Sequence, residues 1–427
     1  MANSLTGSVA RALVFLAVGS GATLLVTSLL GEPDQVRAAG AAAPSGNTVA
    51  AEAPEVSERP DVWKLPLGPM AVHDDYAPVN GKGGQEITGP YQIAKNWPPP
   101  VESGWQISAE GFYPESPDRL LVVGYGWRKR PFMGYWGPAF LGGYSGRTMM
   151  ARGDDIQKNQ YMIVVFDRNG KVVETWDHYI PILGPNQMQL IHPNVYDPER
   201  PLWISTSGPL VQLSRDGKKH IRSIDEKALP ADHPQKDFLM IEHFAFASNG
   251  DIYASGAAWV TRFTKDGKYV SHFGKPGTGP GEFGMTANRH AGGIHGIQID
   301  STRNRLYVAD RIMSRIQVFD LNGKFLDMWP NIVGPYAIRL TEDGRYLWVG
   351  DGAAMKIQKY DALTGQLIPG TTWGTFGNAP GAWLGLHYFT TDSEGNLYTG
   401  EDFGWRLQKY TPRKDGSASQ LIGPLMD

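Results

Sequence analysis

The chain has 427 residues, with 40 Lys plus Arg against 43 Asp plus Glu and a formal net charge of −3. A balance this even provides no global field for nucleic acid or anionic lipid, so neither is expected as a partner held by bulk charge. Cysteine is absent, which removes disulfides, thiol nucleophiles and Cys-ligated zinc or iron–sulfur sites together.

Residues 12–31 carry no charge, follow Arg11 and run into the small-residue stretch "VRAAGAAAPSG". The pattern predicts an export signal within residues 1–40, either a cleaved signal peptide or a retained membrane tether through residues 12–31. Its glycines and the hydroxyls of Ser20, Thr23, Thr27 and Ser28 weaken it as a membrane helix. The body is therefore expected outside the cytoplasm, in a periplasmic or extracellular compartment. Residues 41–100 read as a linker and N-terminal extension, with an Ala-, Pro-, Glu- and Ser-rich stretch from 32 to 60 that has no periodic apolar pattern.

From residue 101 to 427 the chain predicts an all-β domain, with 52 Gly and 31 Pro punctuating short strands rich in its 13 Trp, 18 Tyr and 16 Phe. The first unit, "WQISAEGFYPESPDRLLVVGYGW", resumes at "NQYMIVVFDRNGKVVETWD" after a long insertion. "LIHPNVYDPERPLWISTSGPLVQLSRDGK", "IEHFAFASNGDIYASGAAWVTRFTKDGK", "GGIHGIQIDSTRNRLYVADRIMSRIQVFD", "GPYAIRLTEDGRYLWVGDGAAMKIQKYDALTG" and "GLHYFTTDSEGNLYTGEDFGWRLQKYTPRKDG" follow it. Each unit runs strand, turn, strand, loop, strand, a D-x-x-G-type hairpin and a fourth strand. Four-stranded units of about 40 to 50 residues cannot bury both faces alone, and six of them predict a closed six-bladed β-propeller. Two glycine-rich connectors, "FGKPGTGPGEF" and "WGTFGNAPGAW", share an aromatic-Gly start and a Pro-Gly-x-aromatic end. With the hairpins they resemble NHL repeats.

When the units are aligned on the turn after the first strand, one register position holds Trp105, His192, His243, His295, Tyr336 and His387 in chain order. The innermost strand of a blade lines the central channel, so these residues are expected to ring the axis. His192, His243, His295 and His387 would then converge on a divalent metal. Imidazole ligation suits Zn²⁺, Fe²⁺, Cu²⁺ or Ni²⁺ without choosing among them. Tyr336 becomes a candidate proton-transfer residue and Arg311, at a strand end near the channel mouth, a candidate oxyanion or carboxylate binder.

NHL-type blades with axial histidines resemble the lyase domain of peptidyl-α-hydroxyglycine α-amidating lyase. The resemblance implies a six-bladed propeller whose channel zinc is held by His192, His295 and His387, with Arg311 on an active-site arginine position, and cleavage of a carbinolamide N–C bond. Two positions depart from that family. Ala257 and Ala258 stand where its catalytic tyrosine falls, and Tyr388 stands where an acidic residue follows the last ligand. The insertion in the first unit, from Tyr125 through Trp127, Arg128 and Arg130 to Tyr144, is expected to form an aromatic lid. Trp105, Trp127, Arg128 and Tyr388 are candidate substrate contacts. The sequence thus predicts an exported metal-dependent lyase or hydrolase for a small apolar or aromatic molecule or a peptide. Two alternatives are a four-histidine non-haem iron oxygenase and a non-catalytic propeller with a structural ion.

Overall fold

The computed structural model describes residues 87–102, 105–129, 157–158, 160–183, 188–285, 293–377, 379–402 and 404–426. Six antiparallel sheets make the blades of a propeller, five of them four-stranded among the described residues. The inner strands are Gly111–Ser116, Leu190–Pro193, His243–Phe246, Ile294–Asp300, Pro335–Leu340 and Leu386–Thr391, in blades 1 to 6. Blade 5 has three strands, and the bridges Tyr360↔Leu367 and Ile357↔Trp373 extend its outer edge.

Burial between neighbouring blades explains why these short strands hold. In each blade the second strand is buried along its length, as in Leu306–Tyr307–Val308–Ala309 and Leu347–Trp348–Val349, because both of its faces pack on neighbouring blades. The fourth strands of blades 1 to 4 are mostly exposed or half-buried, as in Tyr269–Phe273. Trp203, Trp348, Trp383 and Tyr398 are fully buried and belong to one core cluster. The D-x-x-G hairpins are set by the acidic side chain. Asp320 Oδ1 accepts from the backbone N–H groups of Asn322 and Lys324, and Asp167 does the same with Asn169 and Lys171.

Two boundaries differ from the sequence reading. The propeller starts before residue 101, because Tyr91–Ile93 pairs with Leu407–Pro412 as the outer strand of blade 6 and closes the ring. Three residues with no alternation to display are too short to be seen as a strand without their partner. The inner strand of blade 1 is Gly111–Ser116, not the segment holding Trp105. Trp105–Ile107 pairs with Trp127–Lys129 in a separate three-stranded sheet outside the blades. The N-terminal segment through residue 86 and the lid segment 130–156, with Arg130 and Tyr144, lie outside the described residues. Among the described residues no helix is long and apolar enough to cross a membrane.

Candidate metal centre

Backbone pairing gives the register around the channel directly. Gly111, Leu190, His243, Ala337 and Tyr388 sit opposite the equivalent second-strand residues Val123, Ser205, Ser255, Gly350 and Gly400. The residues just before them are Glu110, Gln189, Glu242, Tyr336 and His387. In blade 4 the pairing jumps from Ile294↔Asp310 to Ile297↔Val308, which places His295 at the same level. The ring is therefore Glu110, Gln189, Glu242, His295, Tyr336 and His387. His243 lies one residue further along its strand. His192 lies opposite Trp203, level with Gln298 and Arg339, which pair with Tyr307 and Trp348.

This corrects the register read from the sequence at Trp105, His192 and His243. Counting back from the turn misplaces them because the turns differ in length, from Asn194–Pro201 in blade 2 to Ala247–Asp251 in blade 3.

His243, His295 and His387 are brought together. Their ring centroids lie 4.5 Å apart for His243–His295, 4.6 Å for His295–His387 and 6.2 Å for His243–His387, and all three are buried. His295 Nδ1 is 2.8 Å from the Tyr336 carbonyl and His387 Nδ1 is 2.8 Å from the Glu110 carbonyl. A carbonyl only accepts, so both rings carry hydrogen on Nδ1 and an in-plane lone pair on Nε2. Those two Nε2 atoms face each other at 3.1 Å. His243 Nε2 is buried with no hydrogen-bond partner among the described residues. A backbone carbonyl fixing Nδ1–H so that Nε2 points inward is the usual outer support of a metal-ligating histidine.

The imidazoles are held neutral. Burial pushes His295 and His243 well below the ordinary histidine range, with Arg311 and the neighbouring rings adding to it. Burial also takes His387 down to about 4, against the opposing pull of Asp402 and the Glu110 carbonyl. A shared proton between His295 and His387 is thereby disfavoured at neutral pH, leaving two lone pairs in contact. Glu242 Oε2 lies 4.0 Å from His295 Nε2, and Glu110 Oε2 lies 3.3 Å from His387 Nδ1. Among the described residues, no group of three or more His, Cys, Asp or Glu side chains is placed so that it could hold a metal ion as it stands. The arrangement is two facing nitrogens, a third imidazole beside them and the Glu242 carboxylate 4.0 Å from one of the nitrogens.

Tyr336 and Arg311 flank the cluster. The Tyr336 ring centroid is 4.9 Å from that of His295 and 5.8 Å from that of His387, and the Arg311 guanidinium lies 4.5 Å above the tyrosine ring. Tyr388 lines the channel with its ring centroid 5.8 Å from that of His243, and its hydroxyl accepts from Arg339 Nη1 at 2.7 Å. Trp105 and Trp127 pack on each other at 5.0 Å in the outlying sheet, with Tyr161 against Trp127 at 4.9 Å. Arg128 is on that sheet by its backbone, and its side chain lies outside the described atoms. Sequence reasoning missed Glu110, Glu242 and Arg339. Glu242 adjoins His243, from which only strand pairing separates it, and Glu110 lies five residues beyond Trp105, the residue read at that position in the first unit.

These features define a six-bladed β-propeller of NHL-type repeats with a buried imidazole cluster on its axis. A family model described as a 6-bladed beta-propeller matches residues 257–366. The chain is 30% identical over 258 residues to NHL repeat-containing protein 3 of Homo sapiens, a match covering 54% of this chain and 66% of the relative. Antigen Lp49 of Leptospira interrogans is 29% identical over 162 residues, covering 36% of this chain and 32% of the relative. This chain thus spans about two thirds of the human protein and about a third of the leptospiral one. Among solved structures, one titled streptogramin B lyase structure superposes with a TM-score of 0.46 at 12% identity, covering 76% of this chain and 98% of that one.

Proposed function

We propose that this protein is an exported metal-dependent lyase or hydrolase whose divalent metal is held on the propeller axis by His243, His295 and His387, with Glu242 as the carboxylate on the Nε2 side of His295. The observation that carries the reading is the pair of Nε2 lone pairs 3.1 Å apart, each locked inward by a carbonyl behind it. Two neutral imidazoles repel in that geometry, and a cation drawn between them converts the repulsion into ligation. Zinc is the metal implied by the resemblance to the amidating lyases, and imidazole nitrogen equally suits Fe(II) or Cu(II).

When bound, the metal supplies Lewis acidity that polarises a substrate oxygen or activates water for C–N or C–O cleavage. The chain's own residues do the rest. Arg311, stacked on Tyr336, presents a charge to a carboxylate or developing oxyanion. The Tyr336 hydroxyl holds or moves a proton at the reacting group. Tyr388 forms the channel wall, and Trp105, Trp127 and Arg128, on the outlying sheet, are substrate contacts. The substrate is a small apolar or aromatic molecule or a peptide end, and residues 1–40 direct export or tether the chain.

Glu242 favours one second reading. Two histidines and one carboxylate with open positions form the donor set of non-haem Fe(II) oxygenases, so the oxygenase alternative survives with Glu242 in place of His192.

The test is elemental analysis of the purified full chain beside His243→Ala and His295→Ala. It is run with assays on carbinolamide and phenolic substrates and with oxygen uptake. The wild type is expected to hold about one metal per chain, and each variant to lose at least about tenfold in affinity. Wild-type protein that stays metal-free in zinc, iron and copper, or a His295→Ala variant that binds as tightly, overturns the reading. Oxygen uptake with an iron-loaded sample selects the second reading over the first.

A further inference from the structure

A second polar site lies in the same channel, away from the facing nitrogens. Arg339 is 6% exposed and projects from the inner strand of blade 5. Its Nη1 donates to the Tyr388 hydroxyl and its Nη2 to the Met426 carbonyl, while its Nε is buried without a partner. Among the described residues no carboxylate pairs with it. A guanidinium taken out of water without a counter-charge is costly, because its partners here are neutral dipoles.

At the same level of blade 4 stands Gln298, 7% exposed. Both side chains line one cavity of about 20 Å³, together with His192, His243 and Tyr388. That volume suits one water-sized occupant and is too small for an organic carboxylate. A buried cation with an unpaired Nε–H, and a side-chain amide beside it, therefore border a space the size of a single ion.

We infer that this cavity is a binding site for one small monovalent anion of halide size, held by Arg339 and Gln298. The ion supplies the missing counter-charge and accepts from the Arg339 Nε–H and the Gln298 amide. Arg339 also holds the C-terminal segment through Met426, so its loss alone would not separate an anion site from a structural tie. Gln298 makes that separation. Gln298→Leu removes a donor and leaves the tie intact. Gln298→Glu places a carboxylate beside the guanidinium and so builds in the counter-charge.

The experiment is thermal unfolding of the full chain as chloride or bromide replaces gluconate at constant ionic strength. The wild type is expected to gain a saturable rise in Tm on the order of 3 °C. Gln298→Leu should lose most of that response. Gln298→Glu should melt higher than wild type in gluconate and respond little to halide. Arg339→Gln should be insensitive to halide. No saturable rise in the wild type, or a full halide response retained in Gln298→Glu, overturns the proposal. Bromide-soaked crystals provide a second readout. An anomalous peak between Arg339 and Gln298 is expected, and peaks confined to the surface count against the site.

Discussion

The cluster shows how much a single ring's environment decides. His295 and His387 look alike in sequence to any strand histidine, yet each has a carbonyl behind Nδ1 and another imidazole in front of Nε2. Tyr336 is positioned by both its backbone and its ring. Its carbonyl orients His295, and its ring lies against both imidazoles. Tyr336→Phe keeps the carbonyl and the ring, so the expected outcome is unchanged metal content with kcat reduced roughly 10²- to 10⁴-fold if the hydroxyl moves a proton. Metal analysis and steady-state kinetics on one sample check both halves. His233 sets a separate pH dependence. Burial and the adjacent His272 ring lower it to about 4, and its Nδ1 accepts from the Gln235 N–H. Above pH 6.5 the ring is neutral folded or unfolded and contributes no slope. Between about 6.5 and 4 the unfolded chain binds the proton and the native one does not, so stability falls as pH falls, by at most about 1.4 kcal/mol per pH unit from this group. Urea midpoints at pH 7 and pH 5 should show a smaller acid loss in His233→Gln than in the wild type.

Between blades, the two connectors that match in sequence also match in structure. Gly274 and Gly374 take φ of +98° and +108°, and a Cβ on either would lie 2.5 or 2.7 Å from a carbonyl oxygen, of Ala258 and Met355 respectively. Each connector is clasped by a buried acid–arginine pair from its blade, Asp310–Arg315 and Glu401–Arg406. The clasp repeats in detail. Gln317 donates to the Glu282 carbonyl and accepts from Gly281 N–H, and Gln408 does the same with Ala382 and Gly381. Arg315→Met leaves Asp310 buried without its cation and is expected to cost about 3 to 5 kcal/mol, read as a lower denaturant midpoint. Six units and both connectors were legible in the sequence because turn residues and alternation are local. The channel register was only partly legible. His295, Tyr336 and His387 were read at the level that strand pairing gives, His243 was read one residue beyond Glu242, and Glu110 was hidden by a segment whose Trp105 resembled an inner-strand residue. His192 was misplaced by a longer turn. Register is a property of strand pairing, and loops of unequal length erase it from a linear count.

At the scale of the whole ring, closure and the candidate metal centre are one problem. Tyr91–Ile93 completes blade 6, with Tyr91 1% exposed, its hydroxyl accepting from Ile422 N–H at 3.0 Å and its ring centroid 5.7 Å from that of Trp373. The C-terminal segment fastens the neighbouring blade, where Met426 N–H donates to Leu340 and the Trp348 indole donates to Ile422. The seam that this lock holds shut lies between blades 6 and 1, and across it His387 Nδ1 donates to the Glu110 carbonyl. Loosening the lock should therefore release the tautomer and aim of His387 without touching the imidazoles. Tyr91→Ala removes a buried aromatic side chain and is expected to cost about 3 to 5 kcal/mol. Tyr91→Phe only strands the Ile422 N–H, at about 1 to 3 kcal/mol. Metal affinity measured by competition with a chromophoric chelator should fall in Tyr91→Ala at temperatures where circular dichroism still reports a folded chain. Saturating metal should raise the Tm of the wild type by more than that of His387→Ala, since a ligand that binds only the closed ring stabilises it by mass action. If Tyr91→Ala melts earlier yet binds metal as tightly as the wild type, closure and site are independent, and the seam hydrogen bond plays no part in aiming His387.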